Sequence, residues 1–219
     1  MDTRVEANSF EWHQARVGKW TASNLYDLIC TPKKRPRPYV MQKLAERLTG
    51  ESQEDYYESA DIAHGVENES RAFTWLEKLV PTVTLEDSSY FQQWDEVPSF
   101  GATCDRVGTY ADEPCIFEVK CPKTTTHLRY CLMQSVDDLK KEMPKYYWQI
   151  VAGCIVHGID RGMFVSFDPR VDDECGLYYL SFIVPESDIE AGKEAIRKAE
   201  AELQELKEKL KITKFVVNP

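Results

Sequence analysis

The chain has 219 residues, is 42% hydrophobic and carries a formal net charge of −10. That length and apolar content suit one domain with one sizeable core, so a single unit over residues 1–219 is expected. The polar N-terminus and the lack of a membrane-length apolar run argue against a secretion signal or a membrane span, and point to a soluble cytoplasmic protein. The acidic balance excludes a broadly basic nucleic-acid coat but leaves room for a local basic channel. Seven scattered cysteines with no C-x-x-C pair argue against zinc, and most of them read as buried thiols of a reducing compartment.

Taken in order, Asn8–Val17 has the pattern of a short helix. Asn8 and Glu11 have capping-box spacing, Trp12 is expected in the core, and Gly18 ends the helix just after Arg16. A second helix is expected through Ile29, with Leu25, Leu28 and Ile29 as its apolar stripe. Thr21 reads as its N-cap. Thr21 and Ser23 serve either as caps alone or, with Arg16, as an anion pocket at a helix N-terminus. Thr31–Pro38 holds three prolines and four basic residues, so it is a loop; it is either a solvated surface or a grip on a nucleic-acid backbone. Tyr39–Leu48 reads as a helix closed by Gly50, and residues 51–59 as a linker.

Asp61–Leu79 is the next helical region. Glu69 shares its apolar stripe with Ala72, Phe73, Leu76 and Val80. It is either a third acid of a buried site or the solvated edge of a rotated helix. Strands are expected at Val83–Leu85, Ser89–Trp94, the run ending at Asp105, and Cys115–Cys121, in a mostly antiparallel meander with Arg106–Gly108 as a turn. In Cys115-Ile-Phe-Glu-Val-Lys-Cys121, Glu118 and Lys120 share a face with Ile116, while Phe117, Val119 and Cys121 face the other way. A carboxylate and an ammonium two apart on an apolar strand are costly to bury unless they act together. With Asp105 they form a set able to hold a hard divalent cation and assist phosphodiester hydrolysis. The bland alternative is a salt-bridged edge strand.

Beyond Pro122 a helix is expected around Arg129–Gln134, then another from Pro144 through Val156, ending near Gly158. Gln149 falls on its apolar stripe, where it needs either a neighbouring active site or backbone partners. Gly162–Phe167 and Leu177–Val184 read as strands. A long C-terminal helix follows, with Ser187 and Glu190 as a capping box and a seam at Ile189, Ile196, Leu203 and Leu210.

Several separated segments resemble one family. Trp12-His-Gln-Ala-Arg-Val-Gly-Lys-Trp-Thr-Ala-Ser23, His64-Gly-Val-Glu-Asn-Glu69, Asp105, Phe117-Glu-Val-Lys-Cys-Pro122, Tyr147-Trp-Gln149 and Phe167-Asp-Pro-Arg170 occur in the order found in the phage lambda exonuclease (alkaline exonuclease) family of the PD-(D/E)xK nuclease superfamily. The resemblance implies an α/β (α+β) fold with a central mixed β-sheet flanked by helices. It implies Mg²⁺, with Mn²⁺ as an alternative, on Asp105, Glu118 and the Val119 carbonyl. Lys120 would position the attacking water, and Glu69 and Gln149 would assist. Arg16, Thr21, Ser23 and Thr103 would hold a 5′-phosphate, and Ile62 would part the terminal base pairs. The implied activity is processive 5′-to-3′ digestion of one strand of linear duplex DNA by a homotrimeric ring. A single-strand annealing protein would be its partner, in a bacterial host cell and under phage or prophage coding. A sequence-specific endonuclease and a non-catalytic DNA-binding protein are the alternatives. The chain departs from the superfamily pattern at Cys104, where a proline is usual.

Overall fold

The computed structural model describes residues 7, 9–30, 36–53, 60–86, 90–172 and 174–213. Asn8, Lys33, Lys34, Arg35 and most of the 51–59 linker fall outside them, as do the side chain of Ile62 and the basic run's DNA contacts. Among the described residues no helix is long and apolar enough to cross a membrane.

Helices α1 (Phe10–Arg16), α2 (Leu25–Ile29), α3 (Pro38–Thr49) and α4 (Ala60–Leu79) account for most of the first third. Between α1 and α2 lie a two-residue strand β1 (Trp20–Thr21) and a 3-10 turn over Ala22–Asn24. The expected second helix is therefore split. Thr21 stands in the N-cap position of the turn without a capping hydrogen bond. The cap of α1 is Ser9, whose hydroxyl accepts from the Trp12 N–H, in place of the Asn8–Glu11 box. Helix α1 buries no residue, so Trp12 is not the core anchor its size suggests.

The strands β2 (Val83–Glu86), β3 (Gln92–Trp94), β4 (Val97–Ala102), β5 (Arg106–Tyr110) and β6 (Glu113–Lys120) do not form one meander. They divide between a three-stranded sheet, β1-β4-β3, and a five-stranded sheet, β2-β5-β6-β7-β8, completed by β7 (Arg161–Phe167) and β8 (Leu177–Ile183). Arg106–Gly108 is strand rather than turn. The β5–β6 hairpin reverses at Ala111 and Asp112, both at positive φ (52° and 65°), where two short residues tolerate the twist a tight hairpin demands. Strand β6 pairs antiparallel with β5 but parallel with β7, so the large sheet is mixed. That parallel step requires a crossover, supplied by α5 (Thr124–Cys131), α6 (Val136–Glu142) and α7 (Pro144–His157). Helix α5 begins five residues ahead of the expected Arg129. Helix α6 is additional, and Ser135 and Asp138 give it a complete capping box.

Both faces of β6 are covered, which explains its almost continuous apolar run. Ile116 packs into the larger core with α7, α2 and α8 (Glu186–Thr213), whereas Cys115, Phe117 and Val119 pack against Ala72, Phe73 and Leu76 of α4. Helix α8 lies along the domain's own core. Ile189, Ile196, Ala199 and Leu203 are buried, and Leu210 emerges beyond it. Its first turn is Glu186–Ile189, hydrogen-bonded back to Pro185, so Ser187 lies inside the helix and does not cap it.

One carboxylate ties the N-terminal segment to α8. Glu200 accepts from the Trp20 indole at 2.8 Å, from both terminal nitrogens of Arg47 at 2.8 Å, and from Ser99 at 2.8 Å. Burial pulls its pKa up, but Arg47, Gln204, Trp20 and Ser99 outweigh that and hold it at about 2. A depressed carboxyl contributes stability that is complete above its unfolded value and is lost as pH falls through the folded one. Glu200→Gln is therefore expected to lower stability at pH 7 by about 2 kcal/mol, allowing for the partly exposed side chain. That corresponds to a Tm lower by roughly 4–8 °C. The gap between variant and parent should close as pH falls from about 4.5 toward 2; thermal melts across that window check it.

Candidate active site

The site assembles where the two sheets meet. Residues Thr103, Cys104 and Asp105 form the link from β4 of the small sheet to β5 of the large one. Asp105 reaches across to β6, and its Oδ2 accepts from the Val119 N–H at 2.7 Å. This bond sets Asp105 beside the Glu118 and Lys120 side chains, which leave β6 on one face. Lys120 Nζ donates to Glu118 Oε1 and lies 4.0 Å from Asp105 Oδ2. Glu118 is 2% exposed and Lys120 25% exposed, so the pair opens to solvent at the lysine end.

Helix α7 brings in Gln149. Its close approach depends on Gly153, one turn further on: a Cβ there would stand 2.8 Å from the Cys104 sulfur and 2.9 Å from Ile116. Cys104 thus fills the proline position as a buried packing residue. Burial, with Glu118 adding to it, pushes its thiol well above the ordinary range, which leaves it unreactive. Glu69 comes from α4. At 37% exposure it is neither deep in the core nor fully solvated. It lines the cavity beside Asp105, with Arg106 Nη1 at 3.9 Å.

The electrostatics are those of crowded acids. Burial, then Asp105, raises Glu118 to about 8, and the same two causes raise Glu69 to about 6. Burial alone would lower Lys120, but Glu118 and Asp105 more than reverse it, so the ammonium is held charged. Lys120 and, at the edge, Arg106 face three acids, so the cluster still favours further positive charge. Among the described residues, no group of three His, Cys, Asp or Glu side chains is placed to hold a metal by itself. Two carboxylates and a carbonyl nevertheless fit Mg²⁺, which binds through one or two carboxylates and fills its octahedron with water and substrate phosphate oxygens. Asp105, Glu118 and the Val119 carbonyl would be the protein's share.

Beside the acids lies a cavity of about 270 Å³ lined by Arg16, Thr21, Ser23 and Thr103 together with Gln149, Glu69 and Asp105. All four residues expected around a phosphate meet here. Trp12 also lines it and does not pack in the core as its size predicts. The Arg16 guanidinium lies 3.8 Å over its ring, and its indole N–H donates to Thr103 Oγ1 at 2.9 Å. The turn between Arg16 and Thr21 is clamped from α3. Gly18 N–H donates to Glu46 at 2.7 Å, and Arg47 Nε donates to the Gly18 carbonyl at 2.7 Å. Gly18 sits at φ +69°, and a Cβ there would strike Arg47 at 2.7 Å, so only glycine fits. The Thr21 hydroxyl is buried among Tyr39, Ser23 and Asn24 at 3.2–3.4 Å, whereas Ser23 faces the opening. Because α2 has only five residues, side chains rather than a long helix dipole define this pocket.

Arg37, expected among the DNA-gripping charges, is buried instead. Its Nε donates to Glu202 of α8 at 2.8 Å and its Nη1 to the Leu28 carbonyl at 3.1 Å. Tyr146 is a site residue the sequence reading overlooked. It lies three positions before Gln149 on α7, its ring stacks on Phe164, and Lys120 Nζ sits 5.1 Å above it. The i, i−3 spacing from Gln149 was the available signal.

A family model described as the YqaJ-like viral recombinase domain matches residues 11–160, well over half of the chain. No match is found among curated proteins. Among solved structures, the alkaline exonuclease LHK-Exo from Laribacter hongkongensis is 25% identical, with a TM-score of 0.70 over 94% of this chain and 100% of that one. LHK-Exo in complex with dAMP gives a TM-score of 0.73 over the same shares. A phage-related exonuclease from Haemophilus somnus 129PT is 12% identical, with a TM-score of 0.68 over 88% and 96% of the two chains, and shows the shared fold. From the matched residues and the shared α+β architecture, the chain belongs to the YqaJ-like viral recombinase domain family, which is lambda-exonuclease-like.

Proposed function

We propose that this protein is a Mg²⁺-dependent 5′-to-3′ exonuclease that releases 5′-mononucleotides from one strand of linear duplex DNA and leaves a 3′ single-stranded overhang. The observation that carries the reading is the contact between an anion pocket and a crowded carboxylate–lysine cluster through Asp105. The relative LHK-Exo is solved with dAMP, a nucleotide of the kind such a reaction releases. A pocket holding the terminal phosphate sets the cut one nucleotide in from the end.

In this mechanism Arg16, Ser23 and Thr103 grip the 5′-phosphate, with Thr21 fixing the turn that presents them. Asp105, Glu118 and the Val119 carbonyl would hold a divalent ion, which would supply Lewis acidity at the phosphate and lower the pKa of water. Lys120 orients the attacking water and offsets the charge that grows on the phosphoryl oxygens. Glu69 and Gln149 help to align nucleophile and phosphate. Ile62 would wedge the terminal base pair. Assembly as a homotrimeric ring, work beside a single-strand annealing protein, and action in the cytoplasm of a phage-bearing bacterial host complete the proposal. The acidic exterior would discourage binding anywhere but at a threaded end.

Linear duplex labelled separately at each 5′ and 3′ end tests it. Early release of the 5′ label, dependent on Mg²⁺ and absent on closed circular plasmid, is the expected result. Cutting of the circle would favour a sequence-specific endonuclease. Chelator-insensitive binding without nucleotide release would favour a non-catalytic DNA-binding protein. A binding measurement complements the assay. Mg²⁺ at about 100 times its Kd is expected to stabilise the protein by roughly 2.7 kcal/mol. Thermal melts should show the shift in the parent and lose most of it in Asp105→Asn.

A further inference from the structure

A second cavity, of about 620 Å³, lies against the same acids. It shares Glu69 and Asp105 with the phosphate pocket, includes Val119 and Lys120, and is walled by Lys123, Thr126 and Tyr146. If a strand's first phosphate occupies the Arg16 pocket and its next phosphate meets Lys120, the polymer must continue past the acids. The second cavity offers it a path. Lys123 and Thr126 bring a cation and a hydroxyl to the same cavity as Lys120.

The turn that carries them is braced. Asp168, with no exposed surface, accepts from Thr124 Oγ1 at 2.6 Å and from Arg170 Nε at 2.7 Å. Arg170 Nη2 in turn donates to the Pro122 carbonyl at 3.1 Å. The Asp168–Arg170 clasp thus holds residues on both sides of Lys123, at a point outside the phosphate pocket and the acid cluster. A braced turn that presents a lysine into a cavity continuous with the reaction centre is the arrangement a backbone contact needs.

We infer that Lys123 and Thr126 form a subsite for the phosphodiester immediately 3′ of the one cleaved, the third phosphate from a phosphorylated 5′ end. The inference rests on the exonuclease reading above. Its ligand is a DNA backbone phosphate, recognised by charge and without reference to sequence. After each cut, that phosphate becomes the next to be cleaved, so the subsite pre-positions the strand for the following step.

The experiment uses 5′-phosphorylated duplexes with either a normal backbone or a single uncharged methylphosphonate at the third phosphate. Single-turnover release of the first nucleotide is measured for the parent and for Lys123→Ala. The methylphosphonate is expected to slow the parent by about tenfold, the effect of one charge-assisted contact. Lys123→Ala should be about tenfold slower on the normal duplex and show no further loss on the modified one. A parent indifferent to the modification, or a variant that loses as much again, overturns the subsite. Anisotropy on the same duplexes with metal chelated provides a readout free of hydrolysis. The affinity difference between duplexes should vanish in the variant, and its persistence there also overturns the subsite. If the binding pattern holds while no duplex is digested by the parent, the exonuclease reading fails and the backbone contact stands.

Discussion

Lys120→Ala is expected to slow hydrolysis by about 10²–10³-fold and Asp105→Asn to bring it below detection, with both variants folded and able to bind duplex DNA. The lysine's expected effect is that of one positively charged donor aimed at developing charge. The fold should survive its removal for a reason visible in the site. Glu118 is almost fully buried, and stripping a buried charge of its partner commonly costs about 3–5 kcal/mol. Burial and Asp105, however, already lift its carboxyl to about 8, so at neutral pH it can take up a proton and avoid that cost. Asn at position 105 keeps an oxygen for the Val119 N–H, so the strand contact at 2.7 Å survives while the charge is lost. The measurements are single-turnover nucleotide release, anisotropy with duplex and a thermal melt. Turnover retained in Lys120→Ala would remove it from the chemistry. A melt lowered by tens of degrees would mean that the pair serves the fold instead.

The grouping of these side chains was more legible in the sequence than the sheet architecture that brings them together. Glu118 and Lys120 meet because a strand repeats every two residues, a rule that needs no knowledge of neighbours. Gln149 and the Ile189–Leu203 seam were likewise readable from helical spacing. Strand partners were not. The runs on either side of Asp105 look like consecutive strands of one meander, yet β4 and β5 belong to different sheets, and the acid sits on the step between them. Hydrophobic alternation says which face of a strand is buried but not against which strand it lies. Arg37 shows the same limit for charge. Within a basic, proline-rich run it reads as surface, yet Glu202, 165 residues away, and the Leu28 carbonyl make it an internal tie. Trp12 failed for the opposite reason. Large aromatic residues usually anchor cores, but this one spends its ring on Arg16 and its N–H on Thr103. Where the local rule misled, the residue was engaged either by a distant partner or by the cavity itself.

Arg16→Ala is expected to cut release from 5′-phosphorylated ends by about 10–100-fold while leaving 5′-hydroxyl ends nearly unchanged, so that discrimination between the two ends collapses. The range corresponds to the loss of a charge-assisted contact of about 1.5–3 kcal/mol. Selectivity is expected because Arg16 lines the anion cavity but not the neighbouring cavity that holds Lys120. Arg16→Lys should recover only part of the loss, since an ammonium can neither make the paired contact nor stack on Trp12 as a planar guanidinium does. Trp12→Leu should give a smaller, parallel defect. It removes the ring beneath Arg16 and the N–H on Thr103, loosening two phosphate contacts without deleting either. The comparison separates a phosphate grip from a structural role through paired substrates rather than total activity. An Arg16 that merely supported the turn at Gly18 would, on removal, depress both ends alike, and that result would dissolve the link between the pocket and recognition of a DNA terminus.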